Sequence, residues 1–320
     1  MSFVPLEKCL VSAPVVLHKS VVPILAPMSS KSSNSSIESI TLPCQTAQSV
    51  EVVAAPGVSD PLFRQFKISD SLSFSWFCYL QWLKNLQSEN GILSCGSFVL
   101  KRVHIQGVDI FGKGVGFLKF EADIFETKTG RKVPGIVFAR GPAVAVLILL
   151  DSEGQTYAVL TEQVRVPTGK FVLELPAGMV DDKLGSVVGT AVREVEEETG
   201  ISLNIEDMVN LTAFLEMSTG QRVFTSPGGS DEDISVFLYR ESVDKEKIDQ
   251  LQGKECGIQE HGEFINVRVI PYSKLWHVTA DSKVLMAIAL YEMAKRDGLL
   301  LLKKGISNVS DLPSSGNFLV

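Results

Sequence analysis

The sequence predicts an α/β protein whose main body follows a small β domain. Three observations carry that expectation. Ala143–Leu150 (AVAVLILL) is a continuous apolar run of strand length. Gln155–Thr161 and Lys170–Leu175 follow as further strands, and the last leads through Pro176-Ala177-Gly178 toward an amphipathic helix that stops at Gly200. Residues 98–140 instead alternate short apolar runs with turns such as Thr129-Gly130, the pattern of the small β domain.

In chain order, residues 1–60 stand apart. The first fifty hold eleven serines and two acids, Glu7 and Glu38, and show neither helical nor strand periodicity. The segment reads as a plastid-type transit peptide or as a disordered tail. Lys8, Lys19 and Lys31 are its only basic residues, and Glu7-Lys8 and His18-Lys19 interrupt the apolar core that a secretory signal needs. Residues 61–97 are expected to be helical. Trp76, Phe77, Tyr79, Leu80, Trp82, Leu83 and Leu86 make that segment aromatic, but Gln81 and Lys84 interrupt it too soon for a bilayer span. The β domain covers 98–142. Its Gly112-Lys113-Gly114-Val115-Gly116 lacks the Gly-Lys-Ser/Thr of a phosphate loop and reads as a bend. The main body spans 143–300. Asp151–Gly154 is a turn, Ile234–Tyr239 and Glu263–Ile270 are strands, and Ser282–Arg296 is a closing helix. Residues 301–320 are expected to be a disordered tail.

The chemistry concentrates in Arg193–Gly200, REVEEETG, where four carboxylates fall within five residues. On a helix, Glu194, Glu197 and Glu198 share one narrow face, while Val188, Ala191, Val192 and Val195 line another. Like charges so spaced repel by about 0.2–0.5 kcal/mol per pair. A divalent cation reverses that sign, and magnesium favours hard oxygen ligands of this kind. A bare run of glutamates is ordinarily a solvated surface; here the flanking strand, Pro-Gly loop and terminal Gly200 argue otherwise.

These residues resemble the Nudix box. Arg193, Glu194, Val195, Glu197, Glu198, Gly200 and Ile201 match its second half in register. Gly178 lies one residue further from Arg193 than the pattern spaces it, and the early glutamate position falls on Leu184 or Gly185. That acidic function is missing or displaced to Asp181 or Asp182. The likeness covers about residues 98–300 and implies a Nudix α/β/α sandwich on a mixed β-sheet. Glu162-Gln163-Val164-Arg165, Leu175–Gly178, Ser226–Gly229 and His261–Pro271 are similar to the ADP-ribose and nucleoside-diphosphate-sugar hydrolase branch, nearest to the plastidial ADP-sugar diphosphatases of plants.

The resemblance implies hydrolysis of an ADP-sugar, ADP-glucose first, to AMP and a sugar 1-phosphate. ADP-ribose hydrolysis and a non-catalytic nucleotide sensor are the alternatives. It implies magnesium, with manganese as a substitute, held by Glu194, Glu197, Glu198 and the Ala177 carbonyl, with Glu197 and Glu198 catalytic. It implies Glu263 as the general base, with Glu260 and Glu232 behind it, and Arg165 and Gly178 as substrate contacts. Arg193 would hold Glu174 or a box carboxylate, and Glu174 would lie near the metals. A homodimer completed by the N-terminal domain is also implied, as is a chloroplast location, with a cytoplasmic one as the alternative.

Composition excludes other classes. His18, His104, His261 and His277 are too scattered for zinc, and no Cys-x-x-Cys exists. Five widely spread cysteines suit a reducing compartment. A net charge of −7 and a pI near 5.3 argue against a nucleic-acid partner. At 320 residues and 45% hydrophobic content the chain can bury cores for two domains.

Overall fold

Alternation builds the first sheet. The computed structural model describes residues 37–41, 49–54, 77–111, 114–180, 186–257 and 262–300. Strand β1 (Ile37–Thr41) pairs antiparallel with β2 (Ser49–Ala54). In β2, Val50, Val52 and Ala54 point into a core, while Glu51 turns outward and meets Arg102 at 2.6 Å. Next to β2 runs β3 (Phe98–Phe111), parallel to it, then β4 (Gly114–Glu126) and β5 (Ile136–Ala139), both antiparallel, giving the order β1-β2-β3-β4-β5. A parallel pair requires a crossover, and here the crossover contains helix α1 (Phe77–Gln87). Its Tyr79, Trp82 and Leu83 are buried, with Trp82 edge-on to Phe120 at 4.7 Å between ring centroids.

One expectation changes here. Residues 1–60 are expected to carry no element, yet β1 and β2 lie within them; the alternation of SVEVVA is only six residues long. Within the β domain read over 98–142, β3 and β4 run 14 and 13 residues, with register shifts at Leu100/Arg102, Ile105/Gly107 and Asp109/Ile110 that let a long hairpin bend. The expected bend at Gly112-Lys113, residues 1–36, 42–48 and 55–76 of the transit-peptide and helical readings, and the tail 301–320 lie outside the described residues.

The second sheet has nine strands: β6 (Ala143–Ser152), β7 (Gln155–Arg165), β8 (Lys170–Glu174), β9 (Ala177–Met179), β10 (Val209–Asn210), β11 (Val223–Phe224), β12 (Asp233–Ser242), β13 (Glu255–Cys256) and β14 (Ile265–Pro271). Its spine runs β10-β12-β6-β7-β14-β13. The sheet is mixed, since β12 is parallel to β6 and the other pairings are antiparallel. Among the described residues four α-helices follow: α2 (Val187–Thr199), α3 (Lys245–Leu251), α4 (Leu275–Val278) and α5 (Ser282–Arg296). Strand β6 explains its own composition. Leu147 and Leu149 pack with Val284, Ala287 and Tyr291 of α5, whereas Val146, Ile148 and Leu150 pack with Ala191 and Val195 of α2 and Leu251 of α3. Both faces are covered, so an unbroken apolar run is required. The result is the expected α/β/α sandwich.

Backbone and carboxylate contacts join the two sheets. Phe138 in β5 donates its N–H to the Gly229 carbonyl at 2.8 Å, and Asp231 accepts from the N–H groups of Arg140 and Gly141 at 2.7 and 3.1 Å. The segment carrying Ser226–Gly229 is therefore strapped to the N-terminal sheet.

Candidate active site

Helix α2 is aimed by its ends and its apolar stripe. The Ser186 hydroxyl caps it by accepting from Gly189 N–H, and Gly200 ends it in the left-handed conformation at φ 71°. With Ala191 and Val195 buried in the core, Glu194, Glu197 and Glu198 turn toward β7, β9 and the approach to β14.

Glu198 is the most enclosed of them at 8% exposure. Its Oε1 accepts from Gln163 Nε2 on β7 and its Oε2 from the Ala177 N–H on β9, both at 3.1 Å. Burial outweighs those bonds and, with the charge of Glu194, pushes the carboxyl up to about 8. Burial likewise raises Glu194, and the charges of Glu197 and Glu263 add to the rise against Arg193. Arg193 spans the other two glutamates, with Nη2 2.6 Å from Glu194 and Nη1 2.8 Å from Glu197. Its buried Nε makes no hydrogen bond.

Gly178 is required by that crowding. A Cβ there would fall on the Glu194 carboxylate. From the opposite side, Gly257 donates its N–H to the Glu197 carbonyl at 3.3 Å. This tie brings the turn after β13 against α2 and places Glu263, exposed just ahead of β14, where its charge bears on Glu194.

A second cluster adjoins the first. Glu174, at the end of β8, is buried and accepts Arg165 Nε and Nη2 at 2.5 and 3.0 Å and Lys283 Nζ at 2.9 Å. Burial works to raise this carboxyl, but the two cations prevail and hold it below the ordinary range. Lys283 Nζ also reaches Asp281 Oδ1 at 3.1 Å.

Arg193 thus holds the box carboxylates and not Glu174, which falls to Arg165. Glu232 is committed to Thr225 and Arg140 at the junction of the sheets. Asp181, Asp182 and Glu260 lie outside the described residues. Gln163, Lys283 and Asp281 belong to the site and were missed from sequence. For Gln163 the signal was available, because its position two residues before Arg165 puts both on one face of β7.

Among the described residues, no three Asp, Glu, His or Cys side chains stand together as a ready metal cage. The donor chemistry nevertheless fits a hard divalent cation. Glu198 is a buried carboxylate whose partners are only neutral N–H groups, and Arg193 supplies the positive charge that Glu194 and Glu197 require.

Residues 139–288 match the NUDIX domain family. Nudix hydrolase 14, chloroplastic, of Arabidopsis thaliana is 66% identical over 271 residues, covering 85% of each chain. The methanol dehydrogenase activator of Bacillus methanolicus is 31% identical over 138 residues, 43% of this chain and 66% of its own. A solved ADP compounds hydrolase covers 62% of this chain and 98% of its own at 18% identity and a TM-score of 0.40, a distance at which the likeness supports no conclusion. With a curated relative two-thirds identical over most of its length and an acidic helix in box register, the chain belongs to the Nudix hydrolase family.

Proposed function

We propose that the protein hydrolyses the diphosphate bond of an ADP-sugar, ADP-glucose first, to AMP and glucose 1-phosphate, and ADP-ribose second, to AMP and ribose 5-phosphate. The observation that carries the reading is the buried Glu198 beside Glu194 and Glu197, with Gly178 leaving them clearance. The sugar-nucleotide branch is supported by Glu162–Arg165, Leu175–Gly178, Ser226–Gly229 and His261–Pro271, which resemble it in sequence.

Glu194, Glu197, Glu198 and the Ala177 carbonyl are the groups that would hold a divalent cation, magnesium or manganese in its place. When bound, such an ion neutralises diphosphate oxygens and acidifies water. The Arg165 guanidinium offers two parallel donors to a pair of phosphate oxygens. Glu263 takes the proton of the attacking water, and its exposed position ahead of β14 lets solvent reach it. Gln163 and the Ala177 N–H fix the Glu198 carboxylate in one orientation. Arg193 keeps Glu194 and Glu197 from splaying apart.

Two further proposals rest on likeness. The chloroplastic relative and the serine-rich start support a plastid location, and the branch resemblance supports a homodimer.

The test incubates the full chain with magnesium and ADP-glucose or ADP-ribose in the presence of alkaline phosphatase, which frees phosphate only after the diphosphate is cut. Phosphate release that is lost in Glu198→Gln supports the reading. No release from either compound, or turnover unchanged in that variant, overturns it. A nucleotide sensor, the reading favoured by the irregular first half of the box, would bind without releasing phosphate.

A further inference from the structure

We propose that Lys283 is a positioning residue for Arg165, holding the charge of Glu174 so that the arginine is free to turn to a substrate diphosphate. The inference rests on the ADP-sugar reading for the role of Arg165 itself.

Four charges of alternating sign run inward from the rim of the site: Arg165, Glu174, Lys283 and Asp281. Only the first is well exposed. Its side chain is 39% accessible, against 5% for Glu174, 18% for Lys283 and 8% for Asp281. Arg165 also ends its strand, whereas Lys283 is fixed in the first turn of α5.

A guanidinium cannot leave a buried carboxylate cheaply when it is the only counter-charge, because an uncompensated buried ion is strongly destabilising. Here a second cation is already seated. Glu174 Oε2 accepts from Arg165 Nη2 at 3.0 Å and from Lys283 Nζ at 2.9 Å. When Arg165 departs, the lysine bond remains.

Asp281 sets the balance from the other side. Its Oδ1 lies 3.1 Å from Lys283 Nζ, and its buried Oδ2 makes no hydrogen bond. It therefore draws the ammonium away from Glu174 and keeps Arg165 partly needed there. The helix does not account for the lysine. A cation in the first turn opposes the helix dipole, and Asp281 already caps α5 by accepting from the Lys283 N–H.

The proposal demands effects of opposite sign. Lys283→Met leaves Arg165 as the sole partner of Glu174, so KM for the ADP-sugar should rise about tenfold, as for loss of one charge-assisted hydrogen bond, with kcat falling less. Asp281→Asn keeps the cap but weakens the pull on Lys283, so KM should fall. Neither change should move KM in an Arg165→Gln background, because both act through the arginine. Lys283→Arg keeps the charge and should stay near wild type, and it decides the matter if Lys283→Met fails to fold by circular dichroism.

Calorimetric titration with ADP, run on the same proteins, reads Kd independently of turnover. A wild type that binds ADP but cleaves no ADP-sugar refutes the hydrolase reading while the Kd series still judges Lys283. One that neither binds nor cleaves overturns both. KM or Kd shifts of equal size with and without Arg165, or of the same sign in Lys283→Met and Asp281→Asn, overturn the role of Lys283.

Discussion

Replacing Glu198 by glutamine should stabilise the metal-free protein while abolishing turnover. The carboxyl is raised from an ordinary 4.5 to about 8, chiefly by burial. At about 1.4 kcal/mol per unit the ceiling on that penalty is about 5 kcal/mol. The sign follows from proton uptake. Between pH 4.5 and 8 the folded state keeps a proton that the unfolded chain has released, so this group's contribution is full at low pH and lost as pH rises through the folded value. Glutamine cannot ionise and loses nothing. It also fits, because its carbonyl can accept from Ala177 N–H while the Gln163 amide turns over to receive its NH2; the Thr161 hydroxyl, now 3.2 Å from Gln163 Nε2, can turn to donate. After relaxation and water entry, the expected gain at pH 8.5 is about 2–4 kcal/mol, or roughly 5–15 °C in Tm. Thermal melts followed by circular dichroism in EDTA from pH 5 to 9 would measure it. Wild type and variant should lie close together at pH 5, draw apart as pH rises toward 8 and keep a constant gap above it, and added magnesium should raise wild type alone. A gap that does not change with pH, or a wild type indifferent to magnesium, would refute both the burial argument and the cation assignment.

Three other perturbations separate site from scaffold. Gly178→Ala places a methyl group on the Glu194 carboxylate; since that side chain can swing aside, Tm should drop little, while magnesium activation weakens by about 10–100-fold in a metal titration of activity. Glu263→Gln should cut kcat by about 100-fold or more with KM little changed; steady-state kinetics that move KM alone would remove it as base. Trp82→Ala empties the space against Phe120 and Tyr79 and should cost about 3–5 kcal/mol in chemical denaturation, with the activity per folded molecule retained.

The two parts of the site differ in how far they can be read from the chain. Helix α2 is legible because its determinants are local: valine spacing, carboxylate density and a terminal glycine fall within one segment, and β6 announces two covered faces through composition alone. The cluster around Glu174 is not. Lys283 lies 109 residues from its partner, and a lysine in the first turn of a helix reads as surface until tertiary folding lays α5 against β8. Arg193 marks a middle case, since adjacency to the box predicts a carboxylate partner but not which one. Strand β2 is hidden because six residues of alternation carry little weight alone, although Val50 and Val52 are, among the described residues, fully buried.

That concealed strand limits how the amino-terminal region could be processed. Val50 and Val52 belong to the same core as Val103, Ile105 and Phe120, and β2 bonds along the flank of β3. Proteolytic trimming that reached past Ser49 would strip the cover from an apolar layer and leave the backbone of β3 open to pairing with another chain. A chain shortened to begin upstream of Ile37 should stay dispersed, whereas one that begins past Ala54 should aggregate.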